Sequence, residues 1–371
     1  MMNLQEEIDQ KSKEIFTENY GMSIGEIISM YNDREIDIHP EFQRFYRWTL
    51  QQKSKLIESI LLNIPIPPIF VSQRKDGVWD VVDGLQRLST IFQFVGVLKN
   101  EEQEILSQLK LEETKLLPSL KNKTFGESGE ENKDTFTDAQ RRYFKRSKLN
   151  LIIIQKESDS SSKYELFQRL NTGGTALENQ EVRNCLLVMT NKDVFQKIKD
   201  LSTYPSFVNT IQLSDKNIEE QYDMELVVRF IVLRKVVIDE LKRIKELSEF
   251  LDDKIVEIAS DVTFDWENET KIFKKTFDIL SETMQYDSFR RYDLESQRFI
   301  GGFLVSAFEI IALGIGNNPS SFNECLEKIR TLVIDGWQQV KDEGIKWSGL
   351  NPAGRLPKTI ALGRKVFQNE S

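Results

Sequence analysis

The stretch WDVVDGLQRLSTIFQFVGVLKN, residues 79–100, decides how the first half of the chain reads. Trp79–Val82 is short, apolar and β-branched, which predicts a strand. Asp83-Gly84 is a turn pair. Leu88, Ile91, Phe92 and Val95 then recur at i, i+3, i+4 and i+7, the apolar stripe of a helix. Asp83 therefore sits at a strand-to-helix junction, with Gln86, Arg87, Ser89 and Thr90 in the first turns that follow. A helix start offers unpaired N–H groups and the positive end of the helix dipole, so anions settle there. Gly84 lets a ligand approach the backbone closely. Arg87 can clamp a phosphate through charge-assisted bonds, and Asp83 can hold Mg²⁺ or orient a water. The competing reading makes Asp83 an N-cap and Arg87 a surface partner in an ion pair.

Working outward, β-type and helical runs alternate. Glu35–His39 and Pro68–Ser72 read as strands, Leu50–Asn63 and Leu85–Lys99 as helices. Asn122–Asp138 is polar and acidic and reads as a long loop or insertion. Leu149–Gln155, a continuous apolar run, suits a buried strand. From about Lys163 onward the pattern is helical, notably over Glu219–Ser260, Glu267–Met284, Leu294–Leu313 and Ser320–Val340. The expected architecture is a mixed α+β domain over residues 1–200 and an all-α domain over 201–371, with the boundary between Asn184 and Asn217.

Bulk properties narrow the function. A length of 371 residues suits two domains, and 39% hydrophobic residues suffice for packed cores. Cys185 and Cys325 cannot make a disulfide framework or a cysteine-rich zinc site, and both read as buried free thiols. The polar start MMNLQEEIDQKSKEIF has no apolar signal core. GGFLVSAFEIIALGIG, Gly301–Gly316, contains Glu309 and is shorter than the roughly 18–20 residues of a membrane helix, so it reads as a buried helix. A cytoplasmic protein without a membrane partner is expected. The net charge is −9, but Glu41–Lys99 carries eight basic and five acidic residues, a local excess of +3. A basic cleft on an acidic protein fits a compact anionic ligand such as a nucleotide, with DNA as a further partner to consider.

Two more clusters stand out. Ile38–Trp48 interleaves Gln43, Arg44 and Arg47 with Phe42, Phe45, Tyr46 and Trp48, a pattern able to hold phosphate and stack a base. A loop with core aromatics and solvated arginines would read the same way. Phe167–Leu187, FQRLNTGGTALENQEVRNCLL, places Asn171-Thr172-Gly173-Gly174 ahead of the capping-box spacing Thr175…Glu178. That is either an anion nest or simply a turn.

These clusters, in this order, resemble the N-terminal domain family of GmrSD-type modification-dependent restriction enzymes. The matching stretches are PEFQRFYRW (Pro40–Trp48), VDGLQR (Val82–Arg87) and FQRLNTGGTALENQEVRN (Phe167–Asn184). The resemblance spans roughly Ile24 to Val188. It implies a ParB/sulfiredoxin-like fold, a small mixed sheet with helices, that holds nucleotide phosphates on a turn-helix arginine. Asp83, Gly84, Gln86 and Arg87 match the family's Asp-Gly-Gln-Gln-Arg motif of NTP binding and hydrolysis. That gives Asp83, Gln86 and Arg87 catalytic roles and places Mg²⁺ at Asp83. Leu85 stands where the family has glutamine, a change compatible with binding and unfavourable to hydrolysis. Gln43, Arg44 and Trp48 match the first motif, and Arg169, Asn171, Thr172 and Gly173 the third. Together with Gly84, Ser89 and Thr90 they are the expected nucleotide contacts.

Absences also count. Larger relatives append an HNH-type nuclease, which needs histidine, and this chain's single histidine is His39. No GxxxxGK[ST] loop occurs, so any NTPase activity is of the ParB-like rather than the P-loop type. The basic stretch Gly354–Lys365 reads as a solvated tail or a nucleic-acid contact. The expectation is an NTP-binding or NTP-hydrolysing regulatory or sensor protein of a prokaryotic or phage defence or restriction system. A separately encoded nuclease or effector would be its partner. A Mg²⁺-dependent ParB-like nuclease and a non-catalytic interaction module with a decayed pocket are the alternatives.

Overall fold

The computed structural model describes residues 3–5, 16–38, 48–100, 102–127, 132–155, 179–317, 319–322, 326–342 and 351–368. His39, Gln43, Arg44, Arg169, Asn171, Thr172, Gly173 and Cys325 lie outside the described residues, as does the side chain of Cys185. The chain divides into two compact units, Met1–Ala176 and Leu177–Ser371.

The first unit is built on a mixed sheet. Its described strands are β1 (Thr17–Ser23), β2 (Ile36–Asp37), β3 (Ile69–Gln73), β4 (Trp79–Asp83) and β5 (Lys148–Ile154), in the order β1-β5-β3-β4-β2. β1 runs antiparallel to β5, β5 parallel to β3, β3 antiparallel to β4, and β4 parallel to β2. The Leu149–Gln155 run is thus a strand with neighbours on both sides, as its continuous apolar character implies. Helices α1 (Ile24–Asn32), α2 (Leu50–Leu61), α3 (Leu85–Val95) and α4 (Asp138–Arg146) complete the unit. Ser23 caps α1 by accepting from the Glu26 N–H at 3.2 Å. Thr49 with Gln52, and Thr137 with Gln140, form capping boxes that start α2 and α4. Isoleucine, leucine and valine from both sheet and helices, including Ile27, Ile57, Ile69, Leu88, Ile91 and Leu151, fill the core.

Helix α3 stops four residues short of the expected Lys99, because Gly96 closes it in the left-handed region at φ 82°. The connection that follows is anchored rather than loose. Buried Glu58 accepts from the Leu116 and Leu117 N–H groups at 2.9 and 3.0 Å. Buried Arg141 donates to the carbonyls of Phe125 and Phe136, whose rings pack with Phe94.

The second unit is mainly helical: α5 (Asn179–Thr190), α6 (Lys192–Ser202), α7 (Pro205–Ile211), α8 (Asp215–Glu219), α9 (Tyr222–Arg234), α10 (Ile238–Leu241), α11 (Leu247–Ser260), α12 (Trp266–Thr283), α13 (Val305–Asn317), α14 (Leu326–Asp342) and α15 (Pro352–Val366). It also carries a hairpin, β6 (Arg291–Asp293) and β7 (Arg298–Ile300). This corrects the all-α expectation and the helix expected from Leu294. The Asp293 carboxylate accepts from the Ser296 N–H at 2.9 Å and fixes a turn, Tyr292 packs on Phe299 at 4.9 Å, and Gly301-Gly302 delays the helix to Val305. Gly301–Gly316 contributes the buried helix α13, and among the described residues no helix is long and apolar enough to cross a membrane. α13 packs closely on α15, where a Cβ on Gly363 would come within 2.2 Å of the Ile310 carbonyl oxygen. The basic stretch after Gly354 is not a solvated tail. It forms α15, in which Arg355 binds buried Glu309 and Arg364 donates to the carbonyls of Arg234 and Val236.

Candidate functional site

The β4–α3 turn is the strand-turn-helix junction that the spacing implies. β4 carries one extra residue against β3: Phe70 faces Asp83 while Val71 faces Val81. Such a bulge re-aims the strand end, and Asp83 there is 45% exposed at its side chain. The N-cap of α3 is Gly84 rather than Asp83, at φ 103°, so the cap position itself offers no side-chain acceptor. Gly84 is required twice over. Its backbone is left-handed, and a Cβ there would meet Ile69 Cδ1 at 2.4 Å. Gly84 is buried and Asp83, Leu85, Gln86 and Arg87 are partly buried, and the glycine brings no side chain of its own to the first-turn N–H groups of α3.

Arg87 bends back over this turn. Its Nη2 donates to Asp83 Oδ2 at 2.8 Å, and its Nη1 donates to the Pro68 carbonyl at 3.1 Å and to the Pro67 carbonyl. Only 11% of its side chain is exposed, so it is neither a free surface residue nor a simple ion-pair partner. Nε and one Nη2 hydrogen have no partner among the described residues.

The other predicted residues fall into place unevenly. Trp48 packs on the core, and its N–H donates to Gln86 Oε1 at 3.4 Å, so the end of the first motif meets the second. Thr90 Oγ1 donates to the Gln86 carbonyl at 2.7 Å. Ser89 is fully buried, and its Oγ has no hydrogen-bond partner among the described residues. Leu85 packs against the core. Gln43, Arg44, Arg169, Asn171, Thr172 and Gly173 lie outside the described residues. Among the described residues no cluster of three or more metal-ligand side chains occurs. Asp83, whose Oδ2 is held by Arg87, is the carboxylate of this turn that could supply Mg²⁺ with one ligand beside substrate phosphates and water.

Sequence reasoning missed a neighbouring arrangement. Asp37 and Asp80 face each other across the parallel β2–β4 pair, and Arg74 holds both, Nη2 to Asp37 Oδ2 at 2.7 Å and Nε to Asp80 Oδ2 at 2.8 Å. The Asp80 hydrogen bonds outweigh burial and keep the guanidinium charged. Its local signal was the β3–β4 turn RKDG, which starts at Arg74.

Residues 24–188 match the family model described as GmrSD restriction endonuclease, N-terminal domain. This segment of the chain belongs to that family. A search of curated proteins and of solved structures returns no match. The GmrSD-type segment crosses the division between the units at residue 176, and its last helix, α5, belongs to the second. There the end of the third motif is structural. Arg183 and Asn184 are fully buried. Arg183 binds Asp252, and Gln180 donates to Asn184 Oδ1 at 2.8 Å.

Proposed function

We propose that the first unit binds a nucleoside triphosphate at the β4–α3 turn and that this binding regulates a restriction or defence response. The observation that carries this reading is a helix start that opens on a left-handed glycine, with no side chain at its N-cap, beside a pre-positioned guanidinium. Phosphates would take the N–H groups of the first turn of α3 and the remaining donors of Arg87. Mg²⁺ arriving with the nucleotide would engage Asp83, which otherwise would repel the phosphates, and would release its hold on Arg87. The aromatic stretch ending at Trp48 would lie near the base, and Thr172 and Gly173 would close the site. The ParB/sulfiredoxin-like character of the sheet belongs to this proposal. So does a separately encoded nuclease or effector as partner, with DNA contact as its outcome. Leu85, packed into the core where the family has a polar glutamine, favours binding and regulation over rapid hydrolysis.

A second reading has one observation in its favour. The bonds from Arg87 to the Pro67 and Pro68 carbonyls make it a structural latch for the start of β3. Ligand-induced thermal shift separates the two. A nucleotide bound only by the native state raises Tm by mass action. The nucleotide reading expects a shift in wild type that Asp83→Asn and Arg87→Lys both diminish. The latch reading expects no shift in any of them.

A further inference from the structure

We propose that a cavity in the second unit, between the end of α7, the turn at Tyr286 and the glycine pair after β7, is a binding pocket for a planar nucleobase. It is separate from the triphosphate site proposed above and stands without it. The cavity has a volume of about 260 Å³. Pockets for drug-sized ligands run to roughly 300–1,000 Å³, so this one suits a single ring system rather than a whole cofactor. Liquid water occupies roughly 30 Å³ per molecule, so an incoming base would displace resident solvent without opening the core.

Its walls have the two properties a base requires, a π surface and mixed polar edges. Tyr286 lies at the cavity with 53% of its surface exposed, so its ring is not committed to the core. Phe289, 1% exposed and packed on Phe277 and Phe308, gives a rigid inner wall. Arg290 is fixed between these rings and the glycines. Its guanidinium lies 5.7 Å from the Tyr286 centroid, Nε donates to the Gly301 carbonyl at 2.6 Å, and Nη1 donates to Asp287 Oδ1 at 3.3 Å. Its Nη2 has no partner among the described residues and is left to donate.

The glycine pair keeps the opposite edge bare. A Cβ on Gly301 or Gly302 would meet nothing within 4 Å, so the space beside their Cα atoms is open. Gln212, at φ 37° after α7, adds an amide to the rim. A purely apolar ligand would bury the Arg290 Nη2 donor without a partner of its own, at a desolvation cost. A bare anion would leave the aromatic walls unused and would meet the Asp287 carboxylate beside Arg290. A heteroaromatic base satisfies both sets of groups.

The test uses 2-aminopurine, whose fluorescence falls on stacking, as its free riboside and within a short single-stranded oligonucleotide. The riboside has no phosphate, so the β4–α3 turn plays no part in that arm. The variants are Gly302→Leu, Tyr286→Ala and Arg87→Ala. Gly302 lines the cavity, is outside the left-handed region and has open surroundings, so leucine there adds bulk at the cavity's glycine edge without straining the backbone. Saturable quenching is expected in wild type and Arg87→Ala. Gly302→Leu and Tyr286→Ala should each weaken it about tenfold or more, the loss of a stacked base. Quenching of both probes means that the base alone suffices. Quenching of the oligonucleotide alone, with the same variant losses, means that the base is taken from single-stranded nucleic acid. Tyr286→Ala removes a ring already exposed to solvent and decides the matter should Gly302→Leu lower Tm. Absence of saturable quenching with either probe, or quenching unchanged in Tyr286→Ala, overturns the proposal.

Discussion

Arg183 of α5 donates from Nε to Asp252 Oδ1 of α11 at 2.7 Å, and both side chains are buried. The pair opens a chain of charges through the core of the second unit. Arg183 also lies 3.7 Å from Glu225, Glu225 binds Arg229 at 2.7 Å, and Glu309 binds Arg355 at 2.9 Å. Arg229 Nη1 lies 3.7 Å from Glu309 and links the halves. A residue inside the GmrSD-type segment thus orders helices well beyond it.

Removing one member of a buried pair strands the other charge at a cost of about 3–5 kcal/mol. Arg183→Met is expected to lower the stability of the second unit by that amount in urea unfolding. Arg183→Met with Asp252→Leu should recover a large part of the loss. If Arg183→Met unfolds at the wild-type midpoint, the network is not holding the helices.

The same network carries a pH dependence. Burial pushes the Glu225 carboxyl up, but Arg229 and Arg183 outweigh it and hold it below its ordinary value of 4.5. A carboxylate depressed in the folded state contributes stability above that unfolded value and loses it as pH falls through the folded one. Glu225→Gln is therefore expected to be less stable near neutral pH and to lose less further stability below pH 4.5. Thermal melts across the acid range check this, and parallel Tm–pH curves for the two proteins would contradict it.

The chain alone is expected to show no HNH-type cleavage of plasmid with Mg²⁺ or Mn²⁺, because its only histidine is His39 and an HNH-type site needs a histidine to activate water. Robust metal-dependent cleavage that disappears in His39→Ala would contradict this expectation.

How far the sequence could be read depended on how local each feature was. The β4–α3 turn was legible because strand, turn pair and helical stripe lie within a few residues of Asp83. The role of Arg87 was only half legible. Its anchors at Pro67 and Pro68 come from another strand end, which no local pattern links to it. Arg74 with Asp37 and Asp80 depends on a parallel pairing of β2 with β4 and was invisible for the same reason. The hairpin at Arg291–Ile300 is hidden in the sequence because its apolar residues also fit a helical period, and only Gly301-Gly302 marks the break before the helix. The basic stretch at α15 looked like a solvated tail because its acidic partner, Glu309, sits inside an apolar run.

If the three motifs share one ligand, losses at Arg87 and at Asn171 should be non-additive. Residues acting on a common ligand couple by about 0.5–3 kcal/mol in a double-mutant cycle. Nucleotide affinities of Arg87→Lys, Asn171→Ala and the double variant supply the cycle. Strict additivity, with Asn171→Ala lowering Tm but not affinity, would assign the third motif a structural role alone.

The most direct test of nucleotide binding at the β4–α3 turn is calorimetric titration of the common ribonucleoside triphosphates, with Mg²⁺, into wild type, Asp83→Asn and Arg87→Ala. Arg87→Ala also removes the bonds to Pro67 and Pro68, so its folded fraction is first set by circular dichroism at a temperature below its melt. Wild type is expected to bind at least one triphosphate. Arg87→Ala should lose about 2–4 kcal/mol of that affinity, roughly thirtyfold to a thousandfold, as a charge-assisted clamp is removed. Asp83→Asn should weaken binding only when Mg²⁺ is present. A wild-type protein that binds no triphosphate, or a folded Arg87→Ala that binds as tightly as wild type, would contradict the account.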